Sequence, residues 1–311
     1  MRLLVSHASP GIMNTLRIQR PDAERTGSLN SLFAGQSDGA VLYYITALHL
    51  GDVLIPWTSA TYHNLVDLRL QFRHKPETIS TSQLTSILAA SPGLTSLKLE
   101  HLFIVPSEDR NEEKIVRLVH LEVLYLNHMN KDSLASLMSI VSLSNCLAIL
   151  EVGIHRCGDG YSEEIVHLAQ DFLRGVRIKT LALTSDLHYN DGAQWALSLS
   201  KMIPFLENLV LDTLSLYDVR GPGETTDEPE TNVGTTSYLP NLFLMAHELD
   251  LEKLKLIVSV YGVETLYLRR TWDGSADELK APLLESCHNL TCVILDEDPT
   301  INWPCRTMFD W

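Results

Sequence analysis

Apolar and polar positions alternate along this chain in a recurring phrase, Leu-x-x-Leu-x-Leu. Leu65-Val66-Asp67-Leu68-Arg69-Leu70, Leu94-Thr95-Ser96-Leu97-Lys98-Leu99 and Leu121-Glu122-Val123-Leu124-Tyr125-Leu126 carry it most cleanly. Leu147-Ala148-Ile149-Leu150-Glu151-Val152, Ile178-Lys179-Thr180-Leu181-Ala182-Leu183 and Leu206-Glu207-Asn208-Leu209-Val210-Leu211 continue it. Alternation with period 2 predicts a short strand with both later leucines pointing inward and the residues between them outward. Aligned on the central residue, the cores fall at Leu16, Leu48, Leu68, Leu97, Leu124, Leu150, Leu181, Leu209, Leu242, Leu266 and Val293, about 28 residues apart on average.

Helical spacing follows many of the cores. Leu84, Ile87 and Leu88 share a face behind Ser80 and Thr81, either of which can cap a helix start. Ile115, Leu118 and Val119 follow the acids Glu112 and Glu113, which suit a helix N-terminus. Leu134, Leu137, Met138 and Val141 repeat the stripe, as do Ile165, Leu168, Ala169 and Phe172 before Gly175. Leu251, Leu254, Ile257 and Val258 do so before Gly262. A strand and a helix alternating at this period mark leucine-rich repeats. The predicted fold class is therefore α/β: a leucine-rich-repeat solenoid, or horseshoe, of about eleven strand–helix repeats with a parallel concave sheet. One such repeat cannot bury enough apolar surface to offset its own ordering, so the repeats must stack, and residues 1–311 read as one domain.

Interruptions of the rhythm are equally readable. Residues 20–44 form a Gly- and Ser-containing connection with a short helix expected near Leu29 to Phe33. Residues 218–238, including Arg220-Gly221-Pro222-Gly223-Glu224, lack apolar periodicity and read as a flexible acidic insertion loop. The aromatic tail 299–311 is expected to cap the C-terminal end of the core. At the other end the repeat begins almost at once, with no polar cap before Met13-Asn14-Thr15-Leu16, as in the C-terminal part of a longer product.

Composition changes the picture in a few places. A net charge of −15 argues against sequence-independent nucleic-acid binding, which needs a basic surface. No apolar run is long enough for a signal peptide or a membrane span, so the expectation is an intracellular protein, cytoplasmic or nuclear, with no membrane partner. The five cysteines form no Cys-x-x-Cys pair; Cys287, His288 and Cys292 are close but lack a second ligand pair, and Cys146 and Cys287 fit the helix-to-strand turns.

Catalytic patterns are missing. His247-Glu248 lacks the second histidine of a zinc-protease helix, which would have to stand at Leu251. Gly153, Gly158 and Gly160 do not form a phosphate-binding fingerprint, and there is neither a Gly-x-Ser-x-Gly elbow nor a Walker-type Gly-Lys-Ser/Thr. The expectation is a non-catalytic protein without metal or cofactor. What varies while the buried positions stay aliphatic is the outward face of the strands: Arg69, Gln71, Lys98, Glu100, Tyr125, Asn127, Glu151, Thr180, Asn208, Asp212, Tyr267 and Arg269. Stacked parallel strands bring these onto one concave surface, and Tyr and Arg are over-represented among energetically important contacts, so this face is the candidate protein-binding surface.

Ser91-Pro92-Gly93-Leu94-Thr95-Ser96-Leu97-Lys98-Leu99 and Val119-His120-Leu121-Glu122-Val123-Leu124-Tyr125-Leu126 resemble the leucine-rich-repeat regions of fungal F-box-like proteins. Ser286-Cys287-His288-Asn289-Leu290 is similar to the Cys-Pro-Asn-Leu phrase that opens their repeats. The resemblance covers roughly residues 45–300 and implies a substrate-recognition subunit of an SCF-type ubiquitin ligase, in which repeats hold a target and an F-box docks the adaptor. No Leu-Pro-x-Glu-type F-box cluster precedes the first repeat, so an adaptor is implied as partner only if an F-box lies upstream. The alternative is another intracellular leucine-rich-repeat regulator, GTPase-activating or inhibitor-like, although spacings as uneven as 20 to 33 residues suit that class less well.

Overall fold

A computed structural model describes residues 14–19, 44–107, 115–143, 150–155, 163–174, 176–184, 203, 206–212, 238–245, 251–269 and 276–294. The connection near Leu29, all of the acidic insertion but Tyr238, the tail 299–311, Glu112, Glu113, Cys146, Cys157 and His247 lie outside them. The fold is α/β with open parallel sheets that do not close into a barrel. The chain packs as two compact units, residues 1–150 with Trp311 and residues 151–310.

In the first unit the alternating cores become β1 (Thr15–Gln19), β2 (Ala47–Gly51) and β3 (Asp67–Gln71), followed by β4 (Glu77–Ser80) and helix α1 (Thr81–Ala89). Then come β5 (Ser96–Glu100), β6 (Leu102–Val105), β7 (Val116–Arg117), β8 (Val123–Asn127), α2 (Lys131–Ile140) and β9 (Val141–Ser142). Strands β1, β2, β3, β5 and β8 pair parallel in that order, with Leu16, Leu48, Leu68, Leu97 and Leu124 in one line. All five are buried, as are the leucines or isoleucine two residues on. This is the register that the alternation predicts, and a one-residue slip would have turned every leucine to the other face.

Ser80 caps α1 through a capping box: its hydroxyl accepts from the Gln83 amide at 3.2 Å, and Gln83 Oε1 accepts from the Ser80 amide at 3.0 Å. Leu84, Ile87 and Leu88 are buried behind it. Asn130 caps α2 through its side chain alone, its Oδ1 accepting from the Ser133 amide at 2.8 Å, with Leu134, Leu137 and Met138 buried. One expectation fails here. Ile115, Leu118 and Val119 do not lie on a helix; the segment forms β7, which pairs with β9. The burial pattern gives the reason, since Val116 and Leu118 are buried while Ile115 and Arg117 are exposed, a period of two rather than 3.6. A second small pair, β4 with β6, was not anticipated from the sequence.

The second unit holds all of β10 (Leu150–His155) but its first residue, then α3 (Glu163–Leu173), β11 (Ile178–Thr184), β12 (Asn208–Asp212) and β13 (Asn241–Met245). It continues with α4 (Leu251–Val260), β14 (Thr265–Leu268), α5 (Ala276–Ser286) and β15 (Thr291–Ile294). Strands β11 to β15 pair parallel in chain order. Helix α4 ends in a Schellman turn, with Gly262 at φ 55° and the Val263 amide donating to Val258 O at 3.1 Å. Helix α5, whose stripe was not singled out from the sequence, carries Pro282 within it.

The last core sits one residue from its expected place. Leu181, Leu209, Leu242 and Leu266 align with Cys292, while Val293 stands beside Tyr267 on the outward side. Cys292, Val293 and Ile294 are three apolar residues in a row, so alternation alone cannot choose the inward set. Burial chooses it: Leu290, Cys292 and Ile294 are buried and Val293 is half-buried. Burial also pushes the Cys292 thiol pKa up, as suits a small core side chain rather than a nucleophile.

Candidate functional site

In the first unit the outward residues fall into rows across the sheet. The row just after each central leucine reads Arg17, His49, Arg69, Lys98, Tyr125, and the row two residues further on reads Gln19, Gly51, Gln71, Glu100, Asn127. The four sequence candidates Gln71, Lys98, Glu100 and Tyr125 are brought side by side, yet each is almost fully buried, Lys98 at 1 % exposure. Arg69 and Asn127 are half-buried, and Arg17, at the head of the row, is exposed. The middle of this face is thus a packed polar layer, and the side chains open to contact lie around it.

Two charge clusters hold that layer. Asp67 accepts from Arg69 Nη2 at 2.8 Å and from Arg69 Nε at 3.0 and 3.1 Å, while His49 Nε2 lies 2.9 Å from its Oδ2. Burial alone would raise the Asp67 pKa; the bonds to His49 and Arg69 and their charges outweigh it and hold the carboxyl well below the usual range. Glu100 accepts from Gln71 Nε2 at 2.6 Å and from Arg73 Nε at 3.0 Å. Gly51 leaves a dip in the second row, lined by Arg17, Gln19, His49 and Gln71. A Cβ there would stand 3.0 Å from Cγ of the exposed Gln19 side chain, which would have to move aside by a few tenths of an ångström.

At the strand ends the chain turns through left-handed conformations at Asp52 (φ 53°), His101 (φ 53°) and His128 (φ 51°). The His101 and His128 rings stack with centroids 4.1 Å apart and planes 13° apart. One ligand atom from each of Glu100, His101 and His128 lies within 4.8 Å of the other two. These are the groups in the described residues that could hold a metal ion. Beside Glu100 in register, Asn127 Oδ1 is buried without a hydrogen-bond partner, as is Ser96 Oγ.

The second unit presents a different face. Thr180, Asn208 and Asn241 form a side-chain ladder, with Asn208 Nδ2 donating to Thr180 Oγ1 at 3.1 Å and Asn241 Nδ2 to Asn208 Oδ1 at 3.0 Å. The next outward row is apolar, running Ala182, Val210, Phe243, Tyr267, Val293, and the Phe243 and Tyr267 rings stack at 4.2 Å with planes 4° apart. Thr180 is buried, Asn208 and Tyr267 half-buried and Arg269 exposed. Glu151 lies on β10 and Asp212 ends β12, their side chains being outside the described set.

His49, Asp67, His101, His128, Asn241 and Phe243 were missed from the sequence. The signal for two of them was present: His101 and His128 each stand four residues after a central leucine, Leu97 and Leu124. No helix among the described residues is long and apolar enough to cross a membrane. No family model matches the chain, and no curated protein matches it significantly.

Proposed function

We propose that the chain is a non-catalytic protein-recognition module, a leucine-rich-repeat solenoid of about eleven repeats that works in the cytoplasm or nucleus. The observation that carries this reading is the common register. Successive strands present aligned rows of unlike side chains, polar in the first unit and apolar with an amide ladder in the second. Exposed Arg17 and Arg269 and half-buried Tyr267 are the residue types that anchor protein contacts. The F-box-like phrases extend the proposal to a substrate-recognition role beside a ubiquitin-ligase adaptor.

Photocrosslinking tests it. A photoreactive side chain is placed at Arg17, at Arg269 or at Glu252, whose side chain is 80 % exposed on α4. Adducts with one protein from native extract at Arg17 and Arg269, and none at Glu252, are expected. Equal adducts at all three, or none, would overturn the recognition reading. Adducts with a target but no co-purifying adaptor would remove the ligase role and leave the binding module.

A further inference from the structure

We propose that Glu100, His101 and His128 form a binding site for a divalent transition-metal ion of the zinc class. Each histidine supplies one imidazole nitrogen and Glu100 one carboxylate oxygen, all within 4.8 Å of one another. A tetrahedral zinc ion with bonds of about 2.0–2.1 Å holds its ligands about 3.4 Å apart, so closing the site needs movements of about 1 Å. The stacked rings can make them. Histidine χ2 is a broad torsion, so each of the two stacked rings can turn about it to aim one nitrogen lone pair at a common point. Glu100 keeps acceptor capacity: its two oxygens offer about four lone-pair sites, and Gln71 and Arg73 take one each.

The turn does not itself demand histidine. Asp52 occupies the same position after β2 with the same left-handed backbone, and there its carboxylate accepts from the His74 amide at 2.9 Å. Aspartate, asparagine or glycine would serve the backbone at His101 and His128. What two imidazoles add is a pair of nitrogen donors held next to a buried carboxylate. The surroundings also select the ion. Lys98, two residues from Glu100 on the same strand face, and Arg73 bring positive charge that opposes a cation held by charge alone, such as calcium or magnesium. Directed bonds to imidazole favour zinc, copper, nickel or iron. Three protein donors leave one coordination position open, and the unpartnered Asn127 Oδ1, on the adjacent strand in register with Glu100, is an acceptor for a water bound there. Spacing along the chain does not mark this site, because its donors converge from the ends of two neighbouring strands, β5 and β8.

The test uses the full chain with zinc in calorimetry and cobalt(II) in visible absorption. Asparagine is the right replacement, because it tolerates φ near +50° where alanine would be strained. One equivalent of micromolar or tighter affinity is expected for the wild type, weakened at least about tenfold in His101→Asn and in His128→Asn. X-ray absorption of the zinc-loaded wild type should show two imidazole ligands, a reading that needs no variant. With twelve histidines in the chain, weak surface binding will survive in every variant. Unchanged affinity in the double variant, no tight equivalent in the wild type, or a ligand shell without imidazole would each overturn the proposal.

Discussion

Asparagine in place of Asp67 keeps the shape of the side chain and removes the charge that Arg69 and His49 surround. Wild-type Asp67 receives three contacts from the Arg69 guanidinium between 2.8 and 3.1 Å and one from His49 at 2.9 Å. Asparagine offers one acceptor oxygen and turns an amide group of its own toward those donors. Hydrogen bonds to charged groups contribute about 1.5–3 kcal/mol. The Asp67 side chain is still 19 % exposed, so solvent screening puts the expected loss in the lower half of that range, about 1.5–2 kcal/mol. Urea denaturation at neutral pH reads it as a lowered midpoint with unchanged slope. The pH dependence carries the sharper test. A carboxyl held below its ordinary value contributes stability in full above the unfolded pKa of about 3.9 and loses it as pH falls toward the folded value. Asparagine does not titrate, so the gap between the two proteins should stand above about pH 5 and narrow below about pH 4. A gap under about 0.5 kcal/mol, or one that is undiminished near pH 3, would refute the clamp as a stabilising unit.

Two further predictions test the fold. Gly262→Ala, at φ 55°, should lower stability by about 1–2 kcal/mol in thermal unfolding, and a neutral result would mean that the Schellman turn tolerates a side chain. Cys292→Ser should cost about 1–3 kcal/mol by placing a hydroxyl in the core, whereas Val293→Ser on the outward side should cost less than about 1 kcal/mol. The reverse order in denaturant would restore Val293 as the inward residue.

The cores were legible because alternation and burial coincide. Leu68 and Leu97 each have one polar residue on either side, so a single register satisfies both water and core. Where that redundancy ends, so does legibility. Cys292-Val293-Ile294 carries no polar marker, and the register there is decided by the neighbouring strand, which places Ile294 beside Leu268. Residues 115–119 looked helical because Ile115, Leu118 and Val119 have the right spacing. The same letters also read with period two, and the pairing of Val116 with Val141 selects the strand. Short apolar runs are ambiguous in this way until a partner is present.

The outward face was legible as a set of residues but not as an environment. Period two correctly puts Lys98, Glu100 and Tyr125 away from the leucine core, and then invites the conclusion that they meet water. Their near-complete burial shows that facing away from one core is not the same as exposure. Across a parallel sheet an outward side chain has neighbours in register on both sides, so Lys98 sits between Arg69 and Tyr125. Long side chains in such rows cover one another's stems. Such a surface favours polar groups that answer each other between strands, as Asp67 answers His49 and Glu100 answers the Gln71 amide. It also means that a charge in this row cannot be reassigned alone: replacing Glu100 leaves Gln71 and Arg73 without their acceptor. Substitution is therefore cheapest in the first unit at its exposed end, at Arg17, where a side chain can change without uncovering a buried partner.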